Sequence, residues 1–479
     1  MIKINMSRPQ ITSLIVASAL FMEHLDSTII ATALPTIARA LDASPLHLSL
    51  AMTAYMLSLA MFIPLSGWMS DRFGARTVFA SAIVVFTVGS LACGLSWDLL
   101  SLVLARILQG LGGAMMTPVG RLVLLRSVPR AQLVDAIAWM AAPALIGPLV
   151  GPPLGGWIAT HLSWRWIFLV NMPIGVLGFI LVRKYVANVH EKNAERFDFA
   201  GFVMISLAMA GLVFGCETVG RQMIPASATA AMLAGSVALA ALYAMHIRKV
   251  SAPLIDPRMM NYATYRASVI GGSLFRIATG AMTFLLPVML QSGFGMTPID
   301  CGWLLIAGAI GAIPTKFFTK PILSRWGFRS VLFANALLCA AFFALYVAFT
   351  PRTHIWLMFI VFVAGGAFRS LQFTSLNTVA YADMPERLLS RANTLYTTLQ
   401  QCMLSLGVAL AALMIDATRR ANGHINLAAH DFWPSCLALA IIMGTSAIPY
   451  VAISPHAGET MSGHRANRAR QAAEVSAEE

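Results

Sequence analysis

Long apolar runs alternate with short polar connections through almost the whole chain. A membrane-spanning helix needs roughly 20 mostly apolar residues. Fourteen windows of that kind fall at 11–34, 46–69, 77–97, 99–120, 133–160, 164–183, 199–219, 226–247, 266–291, 299–319, 329–350, 353–378, 392–416 and 434–453. An even number of spans puts both ends of the chain on one side. The first run follows Lys3 and Arg8 and carries Ala31-Thr32-Ala33, which mimics a leader cleavage site. Glu23 and Asp26 inside that run, and the many spans after it, predict a retained first span instead.

Composition sharpens this picture. The 479 residues are 58% hydrophobic and 11% charged, with mean hydropathy +0.74, whereas soluble domains carry about a quarter charged residues. The class is an all-α polytopic membrane protein. A net charge of +13 raises nucleic acid as a partner, but no compact basic module or aromatic-interleaved basic face accompanies it. The charge is explained by topology. Of 33 Lys and Arg, 24 fall in the N-terminal tail, the even-numbered connections and the C-terminal tail; six fall on the other side, and Arg106, Arg276 and Arg369 lie within spans. That bias predicts both termini in the cytoplasm and a multi-pass protein of the cell (inner) membrane. The six cysteines stand singly in apolar runs, so no metal site or disulfide framework is expected. There is no GxSxG, P-loop lysine motif or HExxH, which excludes the familiar hydrolases and ATP-driven export by this chain.

Internal repetition divides the chain. The loop Gly67-Trp68-Met69-Ser70-Asp71-Arg72-Phe73-Gly74-Ala75-Arg76 has a weaker copy in Ser324-Arg325-Trp326-Gly327-Phe328-Arg329. Arg106-Ile107-Leu108-Gln109 recurs as Arg369-Ser370-Leu371-Gln372, and Pro129 as Pro385, at nearly the same separation. Two parallel six-helix repeats with a site between them form a transporter architecture. The expected units are an N-terminal bundle (1–185), a polar linker with two further spans (186–260), a C-terminal bundle (261–454) and a disordered cytoplasmic tail (455–479).

Charges inside spans are expensive and default to function. Glu23 and Asp26 are three apart and share a helical face. By helical rise, Asp26 sits roughly 22 Å and Arg106 roughly 21 Å from the cytoplasmic ends of their spans. An Asp26–Arg106 or a Glu23–Arg106 pair is therefore feasible, either as a structural ion pair or as proton-coupling machinery. Arg276 and Arg369, roughly 14–15 Å deep, have no acid at their level in the second half. Gln372, Asn377, Gln400, Gln401 or backbone carbonyls would satisfy them; otherwise they form a positive wall in a substrate cavity lined by Arg276, Arg369, Gln372 and Asn377. In the basic loop, Gly67 and Gly74 permit close packing. Asp71, an acid against the positive pattern, is expected at a helix N-terminus or beside an Arg of the other half, as a latch with Arg72 and Arg76. Gly147, Gly151 and Gly155 recur every four residues with Pro148, Pro152 and Pro153 among them, a groove for close helix approach with a bend. Ser163-Trp164-Arg165-Trp166 reads as an interfacial anchor.

These residues resemble the major facilitator superfamily, in particular its fourteen-span drug:proton antiporter branch. Leu25-Asp26-Ser27-Thr28 through Leu34-Pro35 is similar to the first-span motif of that branch, and Gly67 to Arg76 to the superfamily loop motif. Leu104-Ala105-Arg106 through Gly112-Gly113 resembles the fourth-span motif, whose Arg is implicated in proton coupling. Gly147-Pro148, Gly151-Pro152-Pro153 and Gly155-Gly156 resemble the antiporter motif. Trp164-Arg165-Trp166 through Gly175 resembles the sixth span. The resemblance implies two six-helix bundles with two inserted helices, no cofactor, a proton gradient as the energy source, and a monomer in membrane lipid. Its partners would be small-molecule cargo and protons, with no nucleic acid.

Three functions compete. Proton-coupled export of drugs or toxic compounds by alternating access follows from the motifs. Export of an organic anion or metal chelate, such as a carboxylate, is motivated by Arg276 and Arg369. A non-transporting sensor on the same fold is disfavoured by the complete set of coupling motifs and the absence of an added soluble domain.

Overall fold

In a bilayer each backbone N–H and C=O must be satisfied within the chain, which leaves helices as the economical solution for a single apolar run. The computed structural model describes residues 8–42, 45–188, 196–221, 224–251, 253–424 and 427–464, and every regular element among them is helical. The helices are α1 (Arg8–Ala40), α2 (Pro45–Phe62), α3 (Ser66–Phe73), α4 (Ala75–Gly94), α5 (Leu99–Ser127), α6 (Leu133–His161), α7 (Trp166–Leu169) and α8 (Asn171–Tyr185) in the first half. Next come α9 (Phe199–Arg221) and α10 (Ala226–His246), then α11 (Ala263–Val288), α12 (Pro298–Leu345), α13 (Ile355–Val379), α14 (Leu389–Ala421), α15 (Trp433–Thr445) and α16 (Glu459–Ser462).

Twelve stretches among the described residues are long and apolar enough to cross a membrane. The difference from fourteen lies in two places. Asp300–Ala348 runs for 49 residues, more than twice the length one crossing needs, and breaks at Gly327, whose φ is +72°. The break coincides with the second copy of the basic loop. Gly74 in the first copy has φ +87° and separates α3 from α4 in the same way. The left-handed region is open to glycine at little cost, so both copies use a glycine to turn one helix into the next. The other place is α6, an unbroken 29-residue helix that is not one of the twelve.

In the first half, α1 packs along α6 and α8, and α5 lies between α4 and α2. In the second, α11 packs along α14, while α12 packs against α13 and α15. The inserted pair is a wedge: α9 touches α2 of one half and α14 of the other, and α10 packs mainly on α9. Ser206 Oγ donates to the Met61 carbonyl at 2.6 Å, and the Phe202 and Phe62 rings lie 6.0 Å apart.

The halves meet through α3–α14, α5–α14, α6–α12 and α6–α13. The polar bonds of this seam lie at the end that carries the basic loops. Lys320 Nζ pairs with Asp135 at 2.5 Å. Arg130 donates to the carbonyls of Ala382 (2.9 Å) and Met384 (3.1 Å). Asn393 Nδ2 donates to the Pro118 carbonyl at 2.8 Å. These bonds tie the two halves together at this end.

Two expectations are corrected by the fold. Composition predicts a disordered tail from residue 455, yet the chain folds back as far as His464, the last described residue. Met461 and Ser462 are each 1% exposed, and His464 Nδ1 lies 2.8 Å from the Ser324 carbonyl. Arg121, which its apolar window leaves in a connection, and Lys316, counted with the connection that follows its window, lie inside α5 and α12 and are almost fully buried. Apolar windows stop where polarity rises, but the helices continue past that point.

Candidate functional site

The first constellation is assembled by α1, α5, α4, α8 and α2. Asp26 of α1 is fully buried and accepts three hydrogen bonds. Arg106 Nη1 donates to Oδ2 at 2.5 Å, Gln109 Nε2 to Oδ1 at 2.8 Å, and Asn171 Nδ2 to Oδ1 at 2.9 Å. Arg106 and Gln109 are one turn apart on α5, and Arg106 Nη1 also donates to Gln109 Oε1 at 2.7 Å. The guanidinium lies 4.4 Å from the Tyr55 ring centroid and 5.9 Å from that of Phe168. Asn171 is held by Ser90 Oγ at 2.9 Å, which itself donates to the Phe168 carbonyl. Of the two pairings open at the level of sequence, the structure forms Asp26–Arg106. Gln109, Asn171 and Tyr55 carry no charge to mark them in the sequence, although Gln109 shares the face of Arg106 by simple i, i+3 spacing.

Glu23 lies one turn from Asp26 and is 7% exposed. It accepts a hydrogen bond from Thr117 Oγ1 at 3.0 Å and forms no ion pair among the described residues. Behind both acids runs the glycine stripe of α6. A Cβ on Gly147 would stand 2.9 Å from the Leu25 backbone nitrogen, and one on Gly151 would stand 2.2 Å from Thr28 Oγ1. The stripe therefore seats α6 directly on the segment of α1 that carries Asp26. Gly155 is buried and Gly156 partly buried in the same helix, while the side chains of Pro148, Pro152 and Pro153 lie outside the described residues.

The loop residues reach partners in both halves. Asp71 pairs with Arg126 Nη2 at 2.7 Å, an Arg of its own half at the end of α5. Gly67, one turn earlier, does meet the other half at the start of α14. Its carbonyl accepts from Ser390 Oγ at 2.9 Å, and a Cβ there would stand 2.3 Å from Thr394 Oγ1. Gly74 faces Asn188, whose Oδ1 accepts from the Thr77 backbone N–H at 3.3 Å. Arg72 is exposed and Arg76 half-buried.

The four residues expected to line a cavity do not form one group. Arg276 is 2% exposed, donates to Asn377 Oδ1 at 3.3 Å, and lies 4.4 Å from the Tyr396 ring centroid. Arg369 instead reaches Met282 Sδ. Gln372 turns away into the α12–α13 contact, where it accepts from Asn335 Nδ2 at 2.8 Å and donates to the Leu332 carbonyl at 3.2 Å. Arg121, which sequence reasoning places in a connection, is 2% exposed and crosses the seam to lie 5.6 Å from the same Tyr396 ring. His424, His430 and Asp431 bring three ligand-type atoms within 4.8 Å of one another. Asp431 there already accepts from Ala428 N and Asn422 Nδ2 and serves as a loop staple.

The sequence that folds into these two half-bundles matches the Major Facilitator Superfamily over residues 16–407 and 268–473. The chain belongs to the major facilitator superfamily. Among similar proteins of this superfamily are the "Putative multidrug resistance protein MdtD" of Salmonella typhi and that of Salmonella typhimurium. Each is 36% identical over 460 residues, covering 95% of this chain and 97% of the relative. Among solved structures, the human organic anion transporter MFSD10 (TETRAN) aligns with a TM-score of 0.67 at 11% identity, over 93% of this chain and all of that one. The E. coli fucose:proton symporter FucP aligns with a TM-score of 0.60 at 12% identity, over 94% of this chain and all of that one. At these identities the two structures speak for the transporter fold alone.

Proposed function

We propose that the chain is a proton-coupled exporter with fourteen spans and both termini in the cytoplasm, at the cell's inner membrane. It works as a monomer by alternating access and exchanges a cytoplasmic small molecule for protons. The name of the 36%-identical relatives supports drugs or other toxic compounds as cargo. The charge bias of the connections supports the orientation.

The observation that carries the coupling is the contrast between two acids one turn apart. Asp26 neutralises Arg106 at 2.5 Å, so protonating it would strand a buried guanidinium, at a cost of about 3–5 kcal/mol. Glu23, held by a Thr117 hydroxyl, strands no cation when it takes a proton. In this reading Glu23 carries the proton. Asp26, Arg106, Gln109 and Asn171 form the fixed hub that holds α1 to α5 and α8 while the charge beside it changes.

The test is proton release from inverted membrane vesicles energised to an acid interior, on addition of a lipophilic cation such as ethidium and, separately, of a tricarboxylate such as tricarballylate. Wild type should dissipate the gradient with at least one of the two. Glu23→Gln should fold, reach the membrane and release nothing. Wild-type proton release by that variant would remove Glu23 from the role.

A further inference from the structure

Arg121 of α5 and Arg276 of α11 belong to different halves and stack on one ring, Tyr396 of α14. Both are 2% exposed. Arg121 reaches the Tyr381 hydroxyl, but its Nε and Nη1 have no hydrogen-bond partner; Arg276 spends one N–H on Asn377, and its Nε has none. Neither forms an ion pair among the described residues. A third buried cation, Lys316, ends on Thr374 Oγ1 at 2.6 Å, next along α13 from Phe373, over which Arg276 also lies. The hydroxyls of Tyr396 and Thr398 are buried and unpartnered as well.

A desolvated cation–π contact offsets only part of the cost of taking an ion out of water. Stacking alone therefore leaves this cluster under-compensated. Its unpartnered guanidinium groups are all donors, and guanidinium is the side chain whose fork matches carboxylate oxygens in pairs.

We infer that the Arg121–Tyr396–Arg276 cluster is the loading site for cargo, and that the cargo is a small organic anion carrying two or more carboxylates. The inference rests on the export reading above and names its substrate class. When the seam opens, Arg121 leaves with one half and Arg276 stays with the other, so both cations face the solvent at that end. A di- or tricarboxylate entering there bridges the two halves and replaces the stacking that closure would otherwise need. Loading and closing of the seam are thus one event. A monovalent lipophilic cation gains nothing at this position and is repelled by the two guanidinium groups. Arg369, on Met282, takes no part.

The experiment is equilibrium binding to the purified full-length protein in detergent, with succinate, tricarballylate and ethidium as probes, followed by exchange of the bound probe in proteoliposomes without a pH gradient. Tricarballylate or succinate should bind saturably and exchange. Arg121→Gln and Arg276→Gln should each weaken binding about tenfold or more, the loss expected for one charged hydrogen-bonding partner, and Arg276→Lys should recover part of it. Binding of ethidium but neither carboxylate by wild type overturns the inference, as does carboxylate binding unchanged in the double variant Arg121→Gln, Arg276→Gln. The wild-type comparison decides even if a variant misfolds. No proton gradient enters this assay, so its outcome is independent of the Glu23 test. Carboxylate exchange with no proton response to either probe sinks the coupling alone, and proton-linked ethidium export with no carboxylate binding sinks the anion site alone.

Discussion

At the scale of single residues, the Asp26–Arg106 pair shows what burial does to charge. Each ion lost its water, and what makes the pair tolerable is that Gln109 and Asn171 add hydrogen bonds and the Tyr55 ring lies over the guanidinium. Removing one partner is therefore worse than removing both. Asp26→Asn keeps an acceptor but leaves Arg106 uncompensated and should cost about 3–5 kcal/mol, with Arg106→Gln in the same range. The double variant should lose clearly less than the sum of the two. Thermal unfolding of the three proteins in detergent measures this, and simple additivity would mean that the pair does not act as a unit. The pair is legible in the sequence because depth in a membrane is a one-dimensional quantity, and two charges on opposed helices can be matched by counting. Gln372 is not legible. Its repeat partner Gln109 faces an acid, but the phase of α13 directs Gln372 to Asn335, and helix rotation about its own axis is set by neighbours that counting cannot see. Arg121 escapes notice because the apolar window ends near it while α5 runs on to Ser127.

At the scale of elements, glycines distinguish contacts that must hold from contacts that must part. Within the second half, a Cβ on Gly311 would stand 1.8 Å from the Val363 carbonyl oxygen, and one on Gly280 would stand 2.1 Å from that of Leu404. Within the first, a Cβ on Gly112 would stand 2.4 Å from the Phe86 backbone nitrogen. Backbone cannot step aside, so these pairs bind each half into a rigid body. At the seam, the nearest atoms to Gly67 are side-chain oxygens of Thr394 and Ser390, which can rotate. Alanine should separate the two classes. Gly311→Ala should lower the unfolding temperature, whereas Gly67→Ala should leave it nearly unchanged and weaken closure of the seam. A cysteine placed at Ser390, which is fully buried in the closed form, reports closure by its labelling rate. The six native cysteines are all buried, so background is low. Gly67→Ala should raise that rate severalfold, and an unchanged rate with a lowered unfolding temperature would place Gly67 among the rigid contacts instead. The glycine of each basic loop is readable from the repeat; that one meets Asn188 and the other the ring of His464 is not, since both partners come from segments far away in sequence.

At the scale of the molecule, three devices act on the same seam: the loop latch at Gly67, the cation cluster on Tyr396, and the folded-back tail. The tail matters because α16 spans both halves. It packs on α12 of the second, and on α6 and the short turn before it in the first. Gly458 holds φ +70° against the Phe328 ring, which makes the chain reverse there, and Met461 is buried beside Arg130 and Leu133. A segment that touches both rigid bodies only when the seam is shut must favour the shut state, by whatever free energy its contacts contribute. Burial of one Met side chain is worth about 1.5–3 kcal/mol, enough to shift a two-state equilibrium by one to two orders of magnitude. Ending the chain after Ser454 should therefore leave both halves folded, speed labelling of the Ser390 position by at least tenfold, and do so without altering binding of a carboxylate probe to the open form. Met461→Ala in the intact chain should reproduce most of the effect. Equal labelling rates in the truncated and full-length proteins would reduce α16 to a passenger on α12, and closure would then rest on the loop latch and the cation cluster.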